Sequence, residues 1–484
     1  MDEPNPLQMT ATTNKKAERL FHVFILGAGP AGLGAGHELT RRQVRCTILD
    51  QNEIVGGLAR THQFEGFRFD VGPHRFFTKN NTINQVWRDV LGTDLLEVPR
   101  LTRIYCQKRF FYYPLKATNA LIGLGVWRSL AAFCSYVFAR LFYRNREAES
   151  FEEWITFHFG RRLYETFFKT YTEKVWGIPC SQIGAEWAAQ RIRGLNLWKV
   201  VRAAFIGNRG NIRTLADHFL YPRRGAGMLY EKMAELICAG GGKICLNTTV
   251  EQIERDGMRL TALRCSDQRT FTVEAGDHVL SSLPITEFVE KLTPPAPQEV
   301  REAAARLRYR DHITVNLLHF GNNPFPDNWI YVHAPEMQMA RLTNYANFSK
   351  EMVPAKNAHG LAAEYFCFRI DPIWKMADKD LIQLATDELH RMGLIQQGSV
   401  AGGFVVREKN AYPTYYVGYN PSFDIVRDYV RKLTNVNMIG RGGMYKYNNQ
   451  DHALLSGLLA ARNLLGEAND PWSVNEEDEY LEEN

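Results

Sequence analysis

The chain has 484 residues, of which 45% are hydrophobic and 23% are charged. This length and composition exclude a disordered or fibrous protein and are sufficient for two or three domains around a large core. The formal net charge of +5 is small for the length, and no long run of lysine and arginine occurs. The charge pattern therefore argues against nucleic acid as a partner and favours an anionic small molecule.

The cysteines and the two chain ends give further expectations. Eight cysteines are scattered along the sequence with no Cys-x-x-Cys pair and no metal-ligand spacing. Such thiols are typical of a reducing compartment, so we expect a cytoplasmic protein without a metal site. Residues 1–20 are polar and lack the apolar segment of a signal peptide, so we expect a disordered tail. Residues 471–484 are expected to form an acidic tail.

The first predicted elements are a strand, a tight glycine turn and a helix. The turn residues are Gly27, Ala28, Gly29, Pro30, Ala31 and Gly32. In this setting Gly27 makes the turn, Gly29 lets the backbone approach a pyrophosphate, and Gly32 lets the helix pack on the strand. A second apolar strand ends at Asp50, whose carboxylate would accept a ribose 2′-hydroxyl. The pattern predicts a dinucleotide site for FAD or NAD rather than NADP.

A short helix, a hairpin and a long apolar segment are predicted next. Residues 81–96 have the pattern of the helix, and residues 100–113 have that of the hairpin. Residues 117–143 are largely apolar but contain Arg128 and Arg140, and a charge within the span argues against a transmembrane helix. We interpret this segment as a buried helix pair, and a helix lying on a membrane surface is the less favoured alternative.

A second glycine motif follows the second strand, and its residues are Gly56, Gly57, Leu58, Ala59, Arg60 and Thr61. It resembles the second glycine motif of the flavoprotein superfamily that includes amine oxidases, protoporphyrinogen oxidase, phytoene desaturases and UDP-galactopyranose mutase. The resemblance implies FAD as the cofactor. It also places Arg60 beside flavin or phosphate oxygens, whereas the plain alternative is a surface arginine in a turn.

Four further segments resemble the UDP-galactopyranose mutase branch, namely residues 66–74, 151–154, 174–179 and 449–452. The similarity spans residues 23–463 and implies that His74 lies beside the flavin, although a lone histidine is more often structural. The residues expected to bind FAD are Gly27, Gly29, Pro30, Ala31, Gly32, Asp50, Gly57, Leu58, Arg60, Gly72, His74, Val250, Gly440, Arg441, Asn449 and Gln450.

The same resemblance implies a diphosphate clamp made of two arginines. Arg191 and Arg341 lie where mutases bind the substrate diphosphate, and planar guanidinium groups suit bidentate contact with phosphate oxygens. Either arginine alone would more often be an ordinary salt-bridged residue. Tyr331 matches a family tyrosine on the diphosphate, and Tyr447 matches one near the flavin. The expected catalytic residues are His74, Arg191, Arg341, Tyr331 and Tyr447.

The resemblance fails at the nucleobase. Mutases hold uracil with amide side chains after a Tyr-Pro pair and before the Lys-Val-Trp run. Here Lys116 and Thr172 stand near those positions, and only Trp176 remains. Loss of these hydrogen-bonding partners puts a uridine carrier in question. The residues expected to bind substrate are Tyr113, Lys116, Thr172, Trp176, Arg191, Tyr331, Arg341 and Asn344.

These features support a mixed α/β fold with a Rossmann-type, discontinuous FAD-binding domain. Its expected segments are 21–80, 210–285 and 405–470. A helical insertion is expected at 81–209 and an antiparallel-sheet substrate domain at 286–404.

Three functions fit the sequence. The first is a FAD-dependent sugar-nucleotide mutase, in which the reduced flavin carries the sugar through N5 while pyranose and furanose rings interconvert. Its substrate would contain a diphosphate, and NAD(P)H or another external reductant would keep the flavin reduced. The second is a FAD-dependent oxidoreductase that acts on a C–N or C–C bond. The third is a non-catalytic, membrane-associated flavin-binding protein. The oligomeric state is left open.

Overall fold

The computed structural model describes residues 21–113, 119, 123–143, 146–187 and 217–475. Its strands, numbered in chain order, are β1 His22–Leu26, β2 Arg45–Leu49, β3 Thr61–Phe64, β4 Phe67–Asp70, β5 Leu95–Pro99, β6 Thr102–Cys106, β7 Arg109–Tyr112, β8 His218–Pro222, β9 Lys243–Cys245, β10 Val250–Asp256, β11 Arg259–Cys265, β12 Thr270–Thr272, β13 His278–Ser281, β14 Leu292–Thr293, β15 Tyr309–Phe320, β16 Trp329–Val332, β17 Arg341–Asn344, β18 Ala358–Cys367, β19 Val400–Pro413 and β20 Val436–Met438.

The α-helices connect and cover these strands. They are Pro30–Arg41, Asn81–Leu91, Val126–Phe142, Phe151–Phe159, Arg161–Leu163, Lys169–Trp176, Gly227–Ala239, Ile285–Glu290, Gln298–Arg306, Asp378–Arg391, Asn420–Val430, Gly440–Gly443 and Gln450–Leu464, and a π-helical turn spans Tyr164–Phe168. The helix predicted over residues 81–96 ends at Leu91, because Gly92 has a φ of +53° and the chain then enters β5.

One of the two largest sheets is parallel and has five strands, in the order β20-β13-β1-β2-β9. Because parallel strands need crossover connections, segments far apart in sequence meet in this sheet. An apolar core of buried residues from β1, β2 and the helices Pro30–Arg41, Gly227–Ala239 and Gln450–Leu464 covers one side. The arrangement confirms the predicted mixed α/β fold with a Rossmann-type sheet.

The other large sheet has seven strands, in the order β19-β15-β18-β17-β16-β6-β7. Its strands pair antiparallel, except that β16 and β6 are parallel. The hairpin β6–β7 therefore belongs to this sheet rather than to the helical insertion. Strand β19 also crosses the boundary expected between residues 404 and 405. Edge pairing depends on backbone groups of distant strands, which the local sequence pattern does not encode.

The helix Val126–Phe142 differs most from the prediction. Only Ala132, Tyr136 and Ala139 are buried, whereas Trp127 is 83% exposed and Leu141 is 72% exposed. The expectation of a buried segment is therefore wrong for residues 126–142. Periodicity shows that a helix is apolar but not whether another element covers it. Among the described residues, no helix combines the length and apolar content needed to cross a membrane.

Candidate flavin and substrate site

The first glycine turn leaves no room for side chains. Gly27 has a φ of +103°, and a Cβ added there would overlap Ser282 Oγ. A Cβ at Gly32 would overlap the carbonyl oxygen of Gly27. The helix that begins at Pro30 has no side-chain hydrogen bond to its first backbone N–H groups. These donors and the positive end of the helix dipole suit a phosphate.

The second glycine motif packs directly against the first turn. Gly57 has a φ of +53°, and a Cβ added there would lie 3.0 Å from Gly29 Cα. Two backbone segments thus form a cradle that any side chain would fill. A cradle of this kind, at the carboxyl ends of β1 and β2, fits the pyrophosphate of FAD.

Asp50 ends β2 beside this cradle. Its Oδ2 accepts the Ala28 N–H at 2.6 Å, and its Oδ1 accepts both the Asn52 N–H and Asn52 Nδ2 at 2.8 Å. An ionised carboxylate has about four acceptor positions, so capacity for a ribose hydroxyl remains. The chain therefore holds the acid at the place the sequence predicts for it.

The last part of the chain returns to the same glycine turn. A Cβ at Gly440 would lie 2.9 Å from Ala31 Cβ, and the Gly440 N–H donates to Ser456 Oγ at 2.9 Å. Asn449 caps the helix Gln450–Leu464. The buried Gln450 accepts from Tyr230 Oη at 3.1 Å and donates to the Arg75 carbonyl at 3.2 Å.

Val250 and Arg60, both predicted to bind FAD, are buried near the glycine cradle. Val250 is buried in the apolar cluster that contains Leu26 and Leu49. Arg60 is buried, donates to the Gly57 carbonyl at 2.8 Å and forms an ion pair with Glu408 of β19. The alternative of a surface arginine is therefore wrong. Arg60 joins the second glycine motif to the seven-stranded sheet.

His74 lies between the second glycine motif and the seven-stranded sheet. Its Nε2 lies 2.8 Å from the Leu58 carbonyl and donates to it in the matching tautomer. Burial, followed by the charges of Arg441 and Arg341, lowers the pKa of His74 to about 4. The imidazole is therefore neutral at pH 7.

Gly72 brings the His74 segment against an ion pair of the seven-stranded sheet. It has a φ of +95°, and a Cβ there would lie 3.0 Å from Glu364 Oε2 and 3.2 Å from Arg341 Nη2. The segment after the second glycine motif therefore passes directly beside Arg341.

A bidentate ion pair holds Arg341. Its Nε donates to Glu364 Oε1 at 2.6 Å, and its Nη2 donates to Glu364 Oε2 at 2.5 Å. His312 Nε2 lies 2.9 Å from Glu364 Oε2. Burial raises the pKa of Glu364, but the charge and hydrogen bonds of Arg341 and His312 outweigh it and lower that pKa to about 2. Arg341 keeps its positive charge because Glu364 raises its pKa against the effect of burial.

Tyrosines form the wall around this guanidinium. Tyr331 faces Arg341 across the β16–β17 pair, and its ring centroid lies 5.2 Å from that of Tyr113 and 5.3 Å from that of Tyr171. On the other side, Arg441 lies 4.8 Å from the ring of Tyr412 and 5.0 Å from that of Tyr447. We call this set, Tyr113, Tyr171, Tyr331, Tyr412, Tyr447, Arg341 and Arg441, the tyrosine–arginine wall.

Three residues predicted to bind substrate are buried. Trp176 is 1% exposed and packs against Trp187, and its ring centroid lies 6.0 Å from that of Tyr447 in the tyrosine–arginine wall. Asn344 is fully buried, and its side chain donates to Asn323 Oδ1 at 2.9 Å. Thr172 is buried as well. The role of these three residues in substrate binding stays a prediction. Arg191 and Lys116 lie outside the described residues.

The structure adds residues that the sequence analysis did not select, namely Glu364, Glu408, His312, Tyr171 and Tyr412. The sequence does contain a feature that could have predicted the role of Glu364. It is a lone acid within the apolar run of β18, and a buried acid requires a partner. The site can bind an anion through Arg341 and a planar or apolar group through the tyrosines. The described residues contain no cluster of three metal-ligating side chains.

Both sequence and fold identify the family. The chain belongs to the flavin containing amine oxidoreductases, whose family model matches residues 30–465. This match begins at Pro30 within the first glycine turn and includes the second glycine motif, the tyrosine–arginine wall and the helix Gln450–Leu464. The cofactor of the cradle described above is FAD.

Individual relatives show how far this likeness extends. A Klebsiella pneumoniae protein described as "probable UDP-galactopyranose mutase" is 27% identical over 174 residues, which are 34% of this chain and 43% of that protein. The alignment therefore spans less than half of this relative.

Solved structures match over nearly the whole chain. Reduced UDP-galactopyranose mutase has a TM-score of 0.83 at 22% identity and covers 94% of this chain and 98% of its own. A protein of Exiguobacterium sp. 255-15, described as a candidate protoporphyrinogen oxidase, has a TM-score of 0.71 at 17% identity and covers 93% and 99%. At these identities the likeness shows a shared fold and not a shared reaction.

Proposed function

We propose that this flavoprotein is a sugar-nucleotide mutase that interconverts pyranose and furanose rings in a substrate containing a diphosphate. The observation that carries the proposal is the position of Arg341. Its guanidinium, on a side chain that is 17% exposed, lies beside the Gly72–His74 segment of the flavin domain and within the tyrosine–arginine wall. A fixed cation next to the flavin suits a substrate whose leaving group is an anion.

The bidentate pair fixes the direction of the Arg341 fork. Glu364 contacts Nε and Nη2, so Nη1 lies outside this pair. In the proposed complex, Nη1 donates to a diphosphate oxygen and stabilises the negative charge that grows as the sugar departs. Tyr331 adds a second contact from the neighbouring strand. Arg191 remains the proposed second half of the clamp.

FAD, when bound and reduced, supplies the nucleophile for the sugar, and the protein supplies position and charge. The neutral His74 ring fixes the Leu58 carbonyl and with it the second glycine motif. The tyrosines of the wall hold the sugar and exclude water from the anomeric carbon. All eight cysteines are free thiols, which supports the proposed cytoplasmic location.

The carrier attached to the diphosphate need not be uridine. Trp176, the one uracil-contacting position that the sequence retains, is buried in a core. Tyr113, packed against Tyr331, is the aromatic group that we propose instead for contact with the carrier. We therefore expect the diphosphate and the sugar, rather than a uracil, to dominate recognition.

The second candidate is a FAD-dependent oxidoreductase acting on an amine or a C–C bond, and the family match favours it. One feature of the wall argues against a cationic amine. The stacked rings of Tyr412 and Tyr447 already contact the Arg441 guanidinium, which would repel a second cation.

An anaerobic isomerisation assay distinguishes the two candidates. The dithionite-reduced holoenzyme is incubated with a panel of sugar nucleotides that differ in base and sugar, and the ring isomers are separated by chromatography. The mutase predicts isomer formation with no net flavin oxidation. Failure with every sugar nucleotide, together with bleaching of the oxidised flavin by an amine or a polycyclic substrate, would establish the oxidoreductase.

A further inference from the structure

An exposed apolar face on the helix Val126–Phe142 has no role in the flavin site. We define this apolar face by Trp127, Leu130, Phe133, Val137, Phe138 and Leu141, each at least 38% exposed. At 3.6 residues per turn these side chains project from one side of the helix. Scattered exposed apolar residues are ordinary, but a continuous face of this size marks a contact surface.

The rest of the chain holds this face outward. On the inner side, Ala132, Tyr136 and Ala139 are buried. Ser135 Oγ accepts the Arg162 N–H at 3.3 Å, and a Cβ at Gly160 would lie 2.7 Å from the Ser135 carbonyl. The helix is therefore anchored through its small residues onto the segment around residue 160. Its orientation is set by packing and exposes the apolar side.

The charges on the helix itself are all positive, whereas the exposed Glu147 and Glu149 follow its C-terminal end. The helix contains Arg128 and Arg140 and no acidic residue. Arg128 Nη1 donates to Gln107 Oε1 at 2.5 Å, which places it beside the exposed Lys108 in the β6–β7 turn. Arg146 lies 5.3 Å from the Tyr143 ring just beyond the helix end.

Further along the anchoring segment, the exposed Arg161 and Arg162 share one nearby acid. Arg161 and Arg162 lie 2.9 and 3.9 Å from the Glu165 carboxylate, and Arg161 also contacts Glu152 at 3.2 Å. The rim at the helix itself therefore remains cationic.

We propose that the apolar face docks the protein on an anionic lipid bilayer, with the helix lying in the plane of the membrane surface. Large apolar residues on one side with arginines beside them are the features of an interfacial helix. The aromatic rings of Trp127 and Phe138 suit the headgroup region, and the flanking cations suit anionic headgroups.

Charge complementarity distinguishes a bilayer from a second copy of this chain. An antiparallel helix pair would bring Arg128 of one copy towards Arg140 of the other, and a parallel pair would bring equal arginines together. Both arrangements place cation against cation with no acidic residue of the helix to offset them. An anionic membrane instead attracts both arginines of the helix.

The docking surface is joined to the tyrosine–arginine wall by packing. Leu124, just before the helix, and Tyr331 both pack against the apolar cluster that contains Phe111 and Phe167. The segment that precedes the helix and the wall therefore share one apolar cluster. The docking proposal does not depend on whether the flavin site catalyses isomerisation or oxidation.

Vesicle sedimentation of the full holoenzyme tests the proposal. Wild type is mixed with vesicles of phosphatidylcholine alone or with added phosphatidylglycerol, and the variants are Leu130→Glu and Leu141→Glu. The matched control is Leu236→Glu, which changes an exposed leucine outside the face. We expect wild type and the control to sediment with anionic vesicles and each face variant to bind at least about tenfold more weakly. Arg128→Gln with Arg140→Gln should lower the affinity by about thirtyfold and reduce its salt dependence.

Two exposed cysteines give a direct readout of position. Cys134 lies on the helix within the exposed surface, and Cys238 lies on the helix Gly227–Ala239 of the nucleotide domain. An environment-sensitive fluorophore on Cys134, with Cys238→Ser, should shift to the blue when anionic vesicles are added. The same fluorophore on Cys238, with Cys134→Ser, should not shift.

Defined outcomes would overturn the proposal. Absence of binding to either vesicle by wild type, or equal binding by Leu130→Glu with unchanged flavin content, excludes the membrane. A wild-type dimer in sedimentation velocity that Leu130→Glu converts to a monomer, without vesicle binding, assigns the face to a second copy. A shift at Cys238 equal to that at Cys134 shows nonspecific adsorption.

Discussion

The glycine cradle and the tyrosine–arginine wall are built in different ways. In the cradle, backbone approaches backbone, as at Gly57 and Gly29, and side chains are excluded. In the wall, buried charges are paired across strands, as in Arg341 with Glu364. The cradle therefore tolerates no added atoms, whereas the wall depends on keeping both members of each pair. In the proposed function, the cradle holds the cofactor and the wall recognises the substrate.

The largest effect is expected in the cradle. Gly32→Ala should abolish flavin retention, with the FAD dissociation constant raised by more than about hundredfold, because its Cβ would overlap the Gly27 carbonyl oxygen. FAD content after purification and fluorescence titration of the apoprotein measure this. Gly402→Ala is the matched control, since its Cβ would meet only Leu318 Cδ1 at 4.0 Å. Normal FAD affinity in Gly32→Ala would contradict the cradle.

The second-largest effect is expected when the charge of Glu364, the partner of Arg341, is removed. Glu364→Gln leaves the buried Arg341 without its carboxylate and should lower the free energy of unfolding by about 3–5 kcal/mol. Urea unfolding followed by tyrosine and flavin fluorescence measures this. Asp327→Asn is the matched control, because Asp327 is fully buried and bidentate to Arg103 of the same sheet. We expect both variants to lose a comparable free energy of unfolding, but only Glu364→Gln to lose catalytic activity. This result would show that Glu364 acts in the site as well as in the stability of the sheet.

The pH dependence of stability should follow the same pair. The pKa of Glu364 is about 2 in the fold against 4.5 when unperturbed, so its contribution is present above pH 4.5 and is lost as the pH falls towards 2. The difference corresponds to about 3 kcal/mol. Wild type should lose stability more steeply on acidification than Glu364→Gln. Parallel curves for the two proteins would contradict the assigned shift.

A smaller effect is expected at His74. Its pKa is about 4 against an ordinary 6.5, so its stabilising contribution is complete above pH 6.5 and is lost as the pH falls through 4. Histidine NMR of the holoenzyme should therefore show a neutral His74 ring from about pH 5.5 to pH 8. A His74 titration near pH 6.5 would show that the ring is solvated and outside the site.

Trp176 should give the smallest effect on substrate recognition. Trp176→Phe removes a buried indole and should reduce stability by about 1–3 kcal/mol through the cavity it leaves. It should leave the KM for a sugar nucleotide within about twofold, because the indole is only 1% exposed. A tenfold rise in KM for one base alone would restore Trp176 as a contact to the carrier.

Local pattern was sufficient to predict the cradle. Gly27, Gly32 and Asp50 lie within one strand-turn-helix-strand unit, so spacing along the chain determines their arrangement in space. The resemblance assigned Arg341 to the substrate diphosphate, and its position beside Gly72 became visible only in the structure. The paired acids were not found, because Glu408 is 348 residues from Arg60 and pairs with it only across two domains.

Burial was the least predictable property. The helix 126–142 and Trp176 are both apolar in sequence, yet the first is exposed and the second is in a core. An apolar sequence shows that burial would be favourable, but a residue is buried only where another element packs over it. Tyr171 and Tyr412 were overlooked for the same reason, since an aromatic residue in a core and one in a site wall have the same local pattern.

The most direct test of the proposed function is diphosphate binding by the reduced holoenzyme with and without Arg341. Calorimetry with an isomerised sugar nucleotide compares wild type, Arg341→Ala combined with Glu364→Gln, and the matched scaffold variant Arg103→Ala combined with Asp327→Asn. We expect full FAD content in all three and a loss of at least about hundredfold in affinity only without Arg341, because a buried charge-assisted contact is removed. Unchanged affinity in the Arg341 variant would contradict a diphosphate site at the wall.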